Sequence, residues 1–319
     1  MNDCKIGLAL GGGSARGWSH IGVLRALNEA GIYPDIIAGT SIGAVVGGCY
    51  VAGELDALEA FARGLTRRKV LGFLDFNLAG SGLIHGQKLC DVLEARMKSV
   101  NIESLANKFV AVATEIGTGH ETWLSRGSLV EAMRASYALP GIFKPVMVDG
   151  RWLFDGALVN PIPVSVCRAL GARYVIAVNV NTDVCGRGTV VSHMEALPPP
   201  EVVPSTLEQP DGMLARNGRA VKKLLQRQFF GHSDDAPGIS RVMMEAFNIV
   251  QDRIARSRLA GDPPDSIIAP RLPAFGLFDF HRAEAMIQCG ITAAKREIDD
   301  IRREVASRRA AAALLARTG

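Results

Sequence analysis

The sequence predicts an α/β fold with three layers, in which a largely parallel central sheet has helices on both faces. Two observations lead to this class. Short apolar runs of the length of buried strands recur along the chain, and segments with helical periodicity separate them. Glycine-rich turns follow the first two runs, at the kind of strand end where sites form in such folds.

The apolar runs and the periodic segments give the predicted elements in order. The strands are Ile6–Leu10, Asp35–Ala38, Phe109–Thr114, a hairpin over Val146–Leu153 that turns at Asp149 and Gly150, Tyr174–Val180, and Ser266–Pro270. The helices are Trp18–Ala30, Ala44–Ala52, Leu55–Ala62, Gly86–Ser99, Ala132–Leu139, Arg241–Leu259 and Thr292–Arg317. Residues 73–82 form a loop with apolar side chains, which is a candidate wall for an apolar substrate.

The composition favours a folded cytoplasmic protein and argues against several kinds of site. The chain has 319 residues, of which 48% are hydrophobic, so it can bury a substantial core. A net charge of +4 is too small to indicate nucleic acid as a partner. The six cysteines form no C-x-x-C pair, which argues against a zinc site or a redox pair. The N-terminus has no signal-peptide layout, and no apolar stretch reaches the ~20 residues of a membrane span.

The stretch Gly39-Thr40-Ser41-Ile42-Gly43 has the G-x-S-x-G pattern of a nucleophile elbow, between a predicted strand and a predicted helix. A serine at such a turn is held in strained backbone geometry with its hydroxyl clear of both elements. Gly39 and Gly43 fit this interpretation because a Cβ on either side would crowd the turn. Ser41 is therefore the candidate nucleophile.

The glycine-rich loop over residues 11–17 lies between the first strand and the first helix, and it has two interpretations. A dinucleotide cradle needs G-x-G-x-x-G, which the sequence misses at Ser14 or Arg16, and Asp35 comes too early to meet a ribose. An oxyanion hole needs only free backbone N–H groups near the nucleophile. If the first two strands pair in parallel, the loop and Ser41 share one sheet edge, which favours the second interpretation.

A base for Ser41 can come from either of two places. Asp155, followed by Gly156 and Ala157, ends an aromatic strand and offers a carboxylate at a sharp turn. A Ser-Asp-His triad in the chain order of α/β-hydrolases remains open as an alternative. Its histidine would be one of three, His193, His232 or His281. We expect His20, on the first helix, to be packed or solvated rather than catalytic.

The order of these blocks resembles the patatin-like phospholipases, in particular small bacterial members related to the catalytic domain of neuropathy target esterase. The blocks are the loop that ends in Arg16-Gly17, the elbow Gly39–Gly43, the segment Ala135–Pro145, and Asp155-Gly156-Ala157. The stretch Ile267–Ala285 is similar to the end of those bacterial proteins, so the resemblance covers most of the chain.

The resemblance implies a Ser-Asp dyad of Ser41 and Asp155, with no histidine, metal or organic cofactor. It also implies that Gly12, Gly13, Ser14 and Arg16 supply oxyanion-hole amides. Ser14 departs from the commonest family loop, which has a glycine there, so the backbone angle must suit a residue with a Cβ. The implied activity is hydrolysis of a lipid acyl ester, from a phospholipid or lysophospholipid. The alternatives are a soluble carboxylesterase or thioesterase with the same dyad, and a non-catalytic regulatory or scaffold member.

The domain prediction is one hydrolase domain over residues 1–290 followed by a charged helical tail over 291–319. A proline-rich insertion over 186–240 lies within the hydrolase domain. Inside it, residues 214–230 have the pattern of a basic amphipathic helix, which predicts a lid or a peripheral contact with the inner face of a membrane. The sequence does not fix the oligomeric state.

Overall fold

The computed structural model describes residues 4–73, 93–182 and 239–318. The chain divides into two compact units, Met1–Val184 with Ile254–Gly319, and Cys185–Arg253. The candidate elbow, the glycine-rich loop and Asp155 all belong to the first unit. The predicted basic helix over 214–230 and the predicted apolar wall lie outside the described residues, apart from Phe73.

The first unit is built on an eight-stranded sheet. Its strands are β1 (Ile6–Leu10), β2 (Ile36–Thr40), β3 (Lys108–Glu115), β4 (Glu121–Leu124), β5 (Val146–Val148), β6 (Arg151–Asp155), β7 (Tyr174–Val178) and β8 (Ser266–Ile268). The order across the sheet is β5-β6-β3-β2-β1-β7-β8, with β4 paired to β3. The five strands from β3 to β8 in this order are mutually parallel, whereas β4 and β6 pair antiparallel to β3. Their carboxyl ends therefore share one edge.

Eight helices have described bounds. They are α1 (Ser19–Glu29), α2 (Ile42–Val51), α3 (Leu55–Arg63), α4 (Arg67–Phe73), α5 (Leu129–Tyr137), α6 (Val164–Ala169), α7 (Ile239–Gly261) and α8 (Ala283–Thr318). Short 3₁₀ helices cover Ser14–Trp18, Ile102–Ser104, Gly156–Leu158 and Phe280–Arg282. The loop predicted over residues 11–17 is thus a 3₁₀ helix in its second half.

The two faces of the sheet bury separate apolar cores, which confirms the predicted α/β class with helices on both faces. Side chains such as Leu8, Leu10 and Ile37 point to one face and pack with α1, α2, α5 and α8. Side chains such as Ala9 and Val112 point to the other face and pack with α6 and the end of α7. Because side chains alternate along a strand, each strand contributes to both cores.

Helix α8 begins earlier than predicted and packs along α1. The close approach uses two glycines: a Cβ at Gly22 would lie 1.9 Å from the Ile287 carbonyl oxygen, and one at Gly290 would lie 2.0 Å from that of Ser19. α8 runs without a break through residues 290 and 291 and adds side chains as far as Val305 to the first core. The predicted domain limits stay predictions, since most of 186–240 lies outside the described residues.

Candidate active site

Ser41 occupies the sharp turn between β2 and α2 that the G-x-S-x-G pattern predicts. Its backbone has φ 58° and ψ −126°, a positive φ that a residue with a Cβ adopts only under strain. A Cβ at Gly39 would lie 2.5 Å from the backbone nitrogen of Ala44, and one at Gly43 would lie 2.2 Å from the Leu10 carbonyl oxygen. Both glycines are therefore required by the close packing of β2, α2 and the end of β1.

A second serine holds the backbone of this turn. The Ser41 N–H donates to Ser136 Oγ at 2.9 Å, and the Ser136 hydroxyl donates to the Val112 carbonyl oxygen at 2.6 Å. Ser136 is fully buried at the end of α5. It ties the elbow to β3, the strand that also pairs with the strand carrying Asp155.

Asp155 is the last residue of β6 and lies opposite Ala113 of β3. Its Oδ2 accepts a hydrogen bond from Ser41 Oγ at 2.6 Å, and its Oδ1 accepts one from the Ala157 N–H at 2.8 Å. The turn after Asp155 passes so close to β3 that a Cβ at Gly156 would lie 2.2 Å from the Val112 carbonyl oxygen. The fold thus brings together two side chains that are 114 residues apart in the chain.

Burial controls the charge of this carboxyl. Asp155 is 1% exposed, and desolvation raises its pKa from 3.8 to about 7, although the hydrogen bonds from Ser41 and Ala157 lower it. A carboxyl with a pKa near 7 can accept a proton and return it at neutral pH. A solvated aspartate, with a pKa near 4, is a much weaker base.

The glycine-rich loop packs directly against the elbow. A Cβ at Gly43 would lie 2.8 Å from the Gly11 carbonyl oxygen, and one at Gly17 would lie 2.1 Å from the Ile42 side chain. Two of the four predicted amides already have acceptors: Gly12 N–H donates to Pro161 O at 3.0 Å, and Arg16 N–H donates to Gly13 O at 3.2 Å. The N–H groups of Gly13 and Ser14 have no acceptor among the residues that the structure describes.

Ser14 adopts a left-handed backbone conformation, although the sequence predicts an angle that suits a residue with a Cβ. Its φ is 52°, in the left-handed region that favours glycine, and its hydroxyl donates to the Leu277 carbonyl oxygen at 2.7 Å. The Ala15 N–H donates to the same carbonyl at 3.0 Å. The segment around Leu277 therefore holds the loop in place.

Arg16 and Asn181 brace the other side of the loop. The Arg16 guanidinium is buried and donates to Phe275 O at 2.9 Å and to Asn181 Oδ1 at 3.1 Å. The Asn181 side-chain amide in turn donates to Gly12 O at 3.0 Å. Because a peptide unit is planar and trans, fixing the Gly12 carbonyl also fixes the direction of the Gly13 N–H.

Of the three histidines that could complete a triad, the structure describes one. His193 and His232 lie outside the described residues. The Nε2 of His281 accepts a hydrogen bond from Arg67 Nε at 3.2 Å, while both oxygens of Asp155 are occupied by Ser41 and Ala157. His20 is fully buried with Nε2 2.8 Å from Gly11 O, and burial lowers its pKa to about 4. Of the two expectations for His20, packed or solvated, the structure shows it packed.

The dinucleotide interpretation finds no support in the position of Asp35. Its carboxylate accepts a hydrogen bond from the Ile6 N–H at 2.8 Å, at the amino end of β1 and β2. Within the described ranges no group of three or more His, Cys, Asp and Glu side chains has the arrangement of a metal site. Nor is any helix there long and apolar enough to cross a bilayer.

Comparison with known proteins identifies the family. A model of the family described as patatin-like phospholipase matches residues 8–168. The chain belongs to this family. An uncharacterized NTE family protein of Mycobacterium tuberculosis is 34% identical to it over 93% of each chain.

Two further comparisons are more distant. The neuropathy target esterase sws of Drosophila melanogaster is 33% identical to this patatin-like protein over 56% of this chain and 13% of its own length. The solved structure of VipD from Legionella pneumophila covers 94% of this chain and 67% of its own at 12% identity, with a TM-score of 0.44. The family resemblance predicted from the sequence blocks is confirmed by the family model and the mycobacterial relative. Patatin-like phospholipases are lipid acyl hydrolases, which supports lipid ester hydrolysis as the general activity.

The buried carboxyl makes a prediction about stability. Because the folded-state pKa of Asp155 is raised, the folded protein binds more protons than the unfolded chain between pH 4 and 7. The free energy of unfolding therefore falls as pH rises through this window and is level above it. We expect Asp155→Asn to raise the urea midpoint at pH 8 and to raise it less at pH 5. Ser41→Ala, which keeps the carboxyl, is the control and should retain the pH dependence; an equal gain for Asp155→Asn at both pH values would contradict the raised pKa.

Proposed function

We propose that this patatin-like protein hydrolyses acyl esters of lipids, a phospholipid or a lysophospholipid, through an acyl-enzyme on Ser41 with Asp155 as the base. The observation that carries the proposal is the 2.6 Å contact between Ser41 Oγ and Asp155 Oδ2 in a buried site. A hydroxyl needs a neighbouring base to become a nucleophile, and a carboxyl with a pKa of about 7 is suited to that task.

The reaction proceeds in two halves. Ser41 Oγ attacks the ester carbonyl carbon while its proton moves to Asp155 Oδ2, and the carbonyl oxygen becomes an oxyanion. When the carbon–oxygen bond breaks, Asp155 returns the proton to the departing alcohol. Water then attacks the acyl-enzyme with Asp155 again as the base, and collapse of the second oxyanion releases the fatty acid and restores the Ser41 hydroxyl.

In this proposal, two of the four predicted residues form the oxyanion hole. The N–H groups of Gly12 and Arg16 already donate to Pro161 O and Gly13 O, whereas those of Gly13 and Ser14 remain to stabilise the developing charge. We assign Asn181 as a positioning residue, since its hydrogen bond to Gly12 O aims the Gly13 N–H. A Cβ at Gly13 would lie 2.3 Å from Val180, so the hole has no room for a side chain there.

Removing either member of the dyad tests the proposed chemistry. We expect Ser41→Ala and Asp155→Asn each to lower kcat for lysophosphatidylcholine and for a short-chain soluble ester by about 10³-fold or more. Once the nucleophile or the base is lost, only substrate binding and the loop amides can still accelerate the reaction. His281→Ala is the control, and it should retain activity within about threefold.

The outcome separates the alternatives. If His281→Ala abolished turnover while Asp155→Asn did not, the dyad would be wrong and a histidine would be the base. Activity on the soluble ester without activity on lipids would assign a soluble esterase. Folded wild-type protein inactive on every ester would favour a scaffold role.

Changing Asn181 tests the loop separately. Asn181→Asp keeps the acceptor for Arg16 but cannot donate to Gly12 O, so we expect kcat to fall about 100-fold with KM within twofold, which is the loss typical of one oxyanion donor. Asn179→Asp makes the same change of charge two residues away. Among the described residues the Asn179 side chain accepts, from the Asn181 N–H at 3.0 Å, and donates to none, so this control should retain activity within about threefold. A drop in kcat that merely followed a drop in the urea midpoint would show that Asn181 stabilises the fold rather than the hole.

A further inference from the structure

Four large apolar side chains on or next to strands β3 to β6 of the first unit are exposed on one face of the sheet. Trp152 is 52% exposed, Ile116 and Trp123 are each 42% exposed, and Met147 is 41% exposed. We call these four residues the rim patch. Scattered exposed apolar residues are ordinary, but a contiguous group usually marks a contact surface.

The strand register places the rim patch on one face. Met147 of β5 lies opposite Trp152 of β6, and the Ile116 N–H donates to the Trp152 carbonyl oxygen at 2.8 Å, so these three side chains form one row across neighbouring strands. Trp123 of β4 lies opposite Val112, which points to the same face as Ile116 because the two are four residues apart.

The row lies further along the sheet than the position at which Ser41 and Asp155 meet. Asp155 is opposite Ala113, and β2 ends with Thr40 opposite Val112. Ile116 and Trp152 are each three residues further along the direction in which the parallel strands point, which is about 10 Å. The row of Met147, Trp152 and Ile116 therefore projects past the sheet edge at which Ser41 and Asp155 meet, whereas Trp123 lies level with the end of β2. All four side chains point to the opposite face from Asp155.

Among the residues that the structure describes, the side chains of the rim patch belong to neither buried core. Beside the patch, side chains such as Val110 and Val112 are buried in the second core, with α6 and the end of α7. The patch stands on a rigid support, because β5 and β6 are joined by a two-residue turn in which Asp149 has φ 47° and Gly150 has φ 76°, as in tight hairpins.

The size and charge of the patch indicate what binds it. Four partly exposed side chains present on the order of 400 Å², about half of the ~800 Å² per partner of a stable protein interface. The ion pairs described beside the patch are balanced: Arg151 lies 3.9 Å from Glu115, and Arg258 lies 2.9 Å from Glu121, which accepts from the Trp123 side chain. A lipid surface needs neither a large complementary area nor charge, and tryptophan favours the boundary between head groups and acyl chains.

We propose that the rim patch inserts into the head-group boundary of a neutral phospholipid surface and so sets the catalytic edge against the lipid. The inference rests on the proposed function, since it supplies the site with a lipid ester. Binding through the rim patch differs from binding through the basic segment predicted over 214–230, which would need anionic lipid and would weaken with salt. Binding through the rim patch occurs on phosphatidylcholine alone and changes little between low and high salt.

The tryptophans of the chain allow a direct test. There are three, and Trp18 is buried, so Trp123 and Trp152 report on the surface. The protein is the full chain with Ser41→Ala, which cannot turn over the vesicles, and Trp123→Phe leaves Trp152 as the one exposed tryptophan beside the buried Trp18. We expect phosphatidylcholine vesicles with brominated acyl chains to quench its emission more than unbrominated vesicles do. The double change Trp152→Ser and Met147→Ser, made in full-length Ser41→Ala protein, should weaken vesicle affinity in a sedimentation assay at least tenfold.

Tyr33 provides the matched control. It is 62% exposed and precedes β2, at the opposite end of the sheet, so Tyr33→Ser removes an exposed aromatic side chain without touching the rim patch. We expect Tyr33→Ser to leave vesicle affinity unchanged. Equal loss of affinity in both variants, unchanged affinity in the double variant, or absence of bromine quenching would each overturn the proposal. So would a dimer, seen by sedimentation velocity, that the double change dissociates.

Turnover of a soluble short-chain ester separates this inference from the proposed function. In the Ser41-containing protein, the double change should leave kcat/KM for that ester within about twofold. If soluble-ester turnover depends on Ser41 but vesicle binding does not depend on the patch, only the rim patch inference fails. If no ester is hydrolysed, the proposed function fails, while vesicle quenching can still be measured on the Ser41→Ala protein.

Discussion

The hydrogen bond between Ser41 and Asp155 is the constraint on which the site depends. It requires a positive φ at Ser41, a turn after β6 so tight that Gly156 meets β3, and the burial of a carboxyl whose pKa is thereby raised to about 7. None of these features stabilises the fold: backbone strain and a buried acid both cost free energy. They are retained together at one sheet edge, which is the pattern expected of a site that uses a strained nucleophile and a tuned base.

The loop opposite the elbow is organised by distant parts of the chain. Leu277 O accepts from both Ser14 and Ala15, Phe275 O accepts from Arg16, and Asn181 holds the Gly12 carbonyl. A glycine-rich loop on its own is conformationally free, so these bonds lower the entropy cost of presenting the Gly13 and Ser14 amides in one direction. Ser14 has a φ of 52°, which strains a residue with a Cβ, and the hydrogen bond from its hydroxyl to the Leu277 carbonyl oxygen offsets part of that strain.

Much of this architecture could be predicted from local pattern. β1 was predicted over Ile6–Leu10 and is found there, and the G-x-S-x-G turn lies between β2 and α2 as predicted. The helical pattern predicts the start of α5 three residues late, because it does not take in the cap that Ser128 and Glu131 form; Ser128 Oγ accepts from the Glu131 N–H at 3.3 Å. The start of α8 was missed because Gly290 interrupts the helical pattern, yet that glycine is what allows the close approach to α1.

The supporting residues of the site could not be predicted in this way. Ser136, Asn181 and Leu277 act on partners 95, 169 and 263 residues away, and no local spacing marks such contacts. Which of the four loop amides already have acceptors could not be predicted either, since Gly12 and Arg16 differ from Gly13 and Ser14 only in the acceptors that the fold brings to them. The burial that raises the pKa of Asp155 also follows from tertiary packing alone.

The central claim is that a buried carboxylate activates Ser41, and the rate of Ser41 labelling as a function of pH tests it most directly. A fluorophosphonate probe is allowed to react at a series of pH values, and the adduct is located by peptide mapping. The account predicts a single adduct on Ser41, formed about tenfold faster per pH unit up to pH 7 and at a constant rate above it. An adduct on another residue, or a rate that is already level above pH 4, would contradict it.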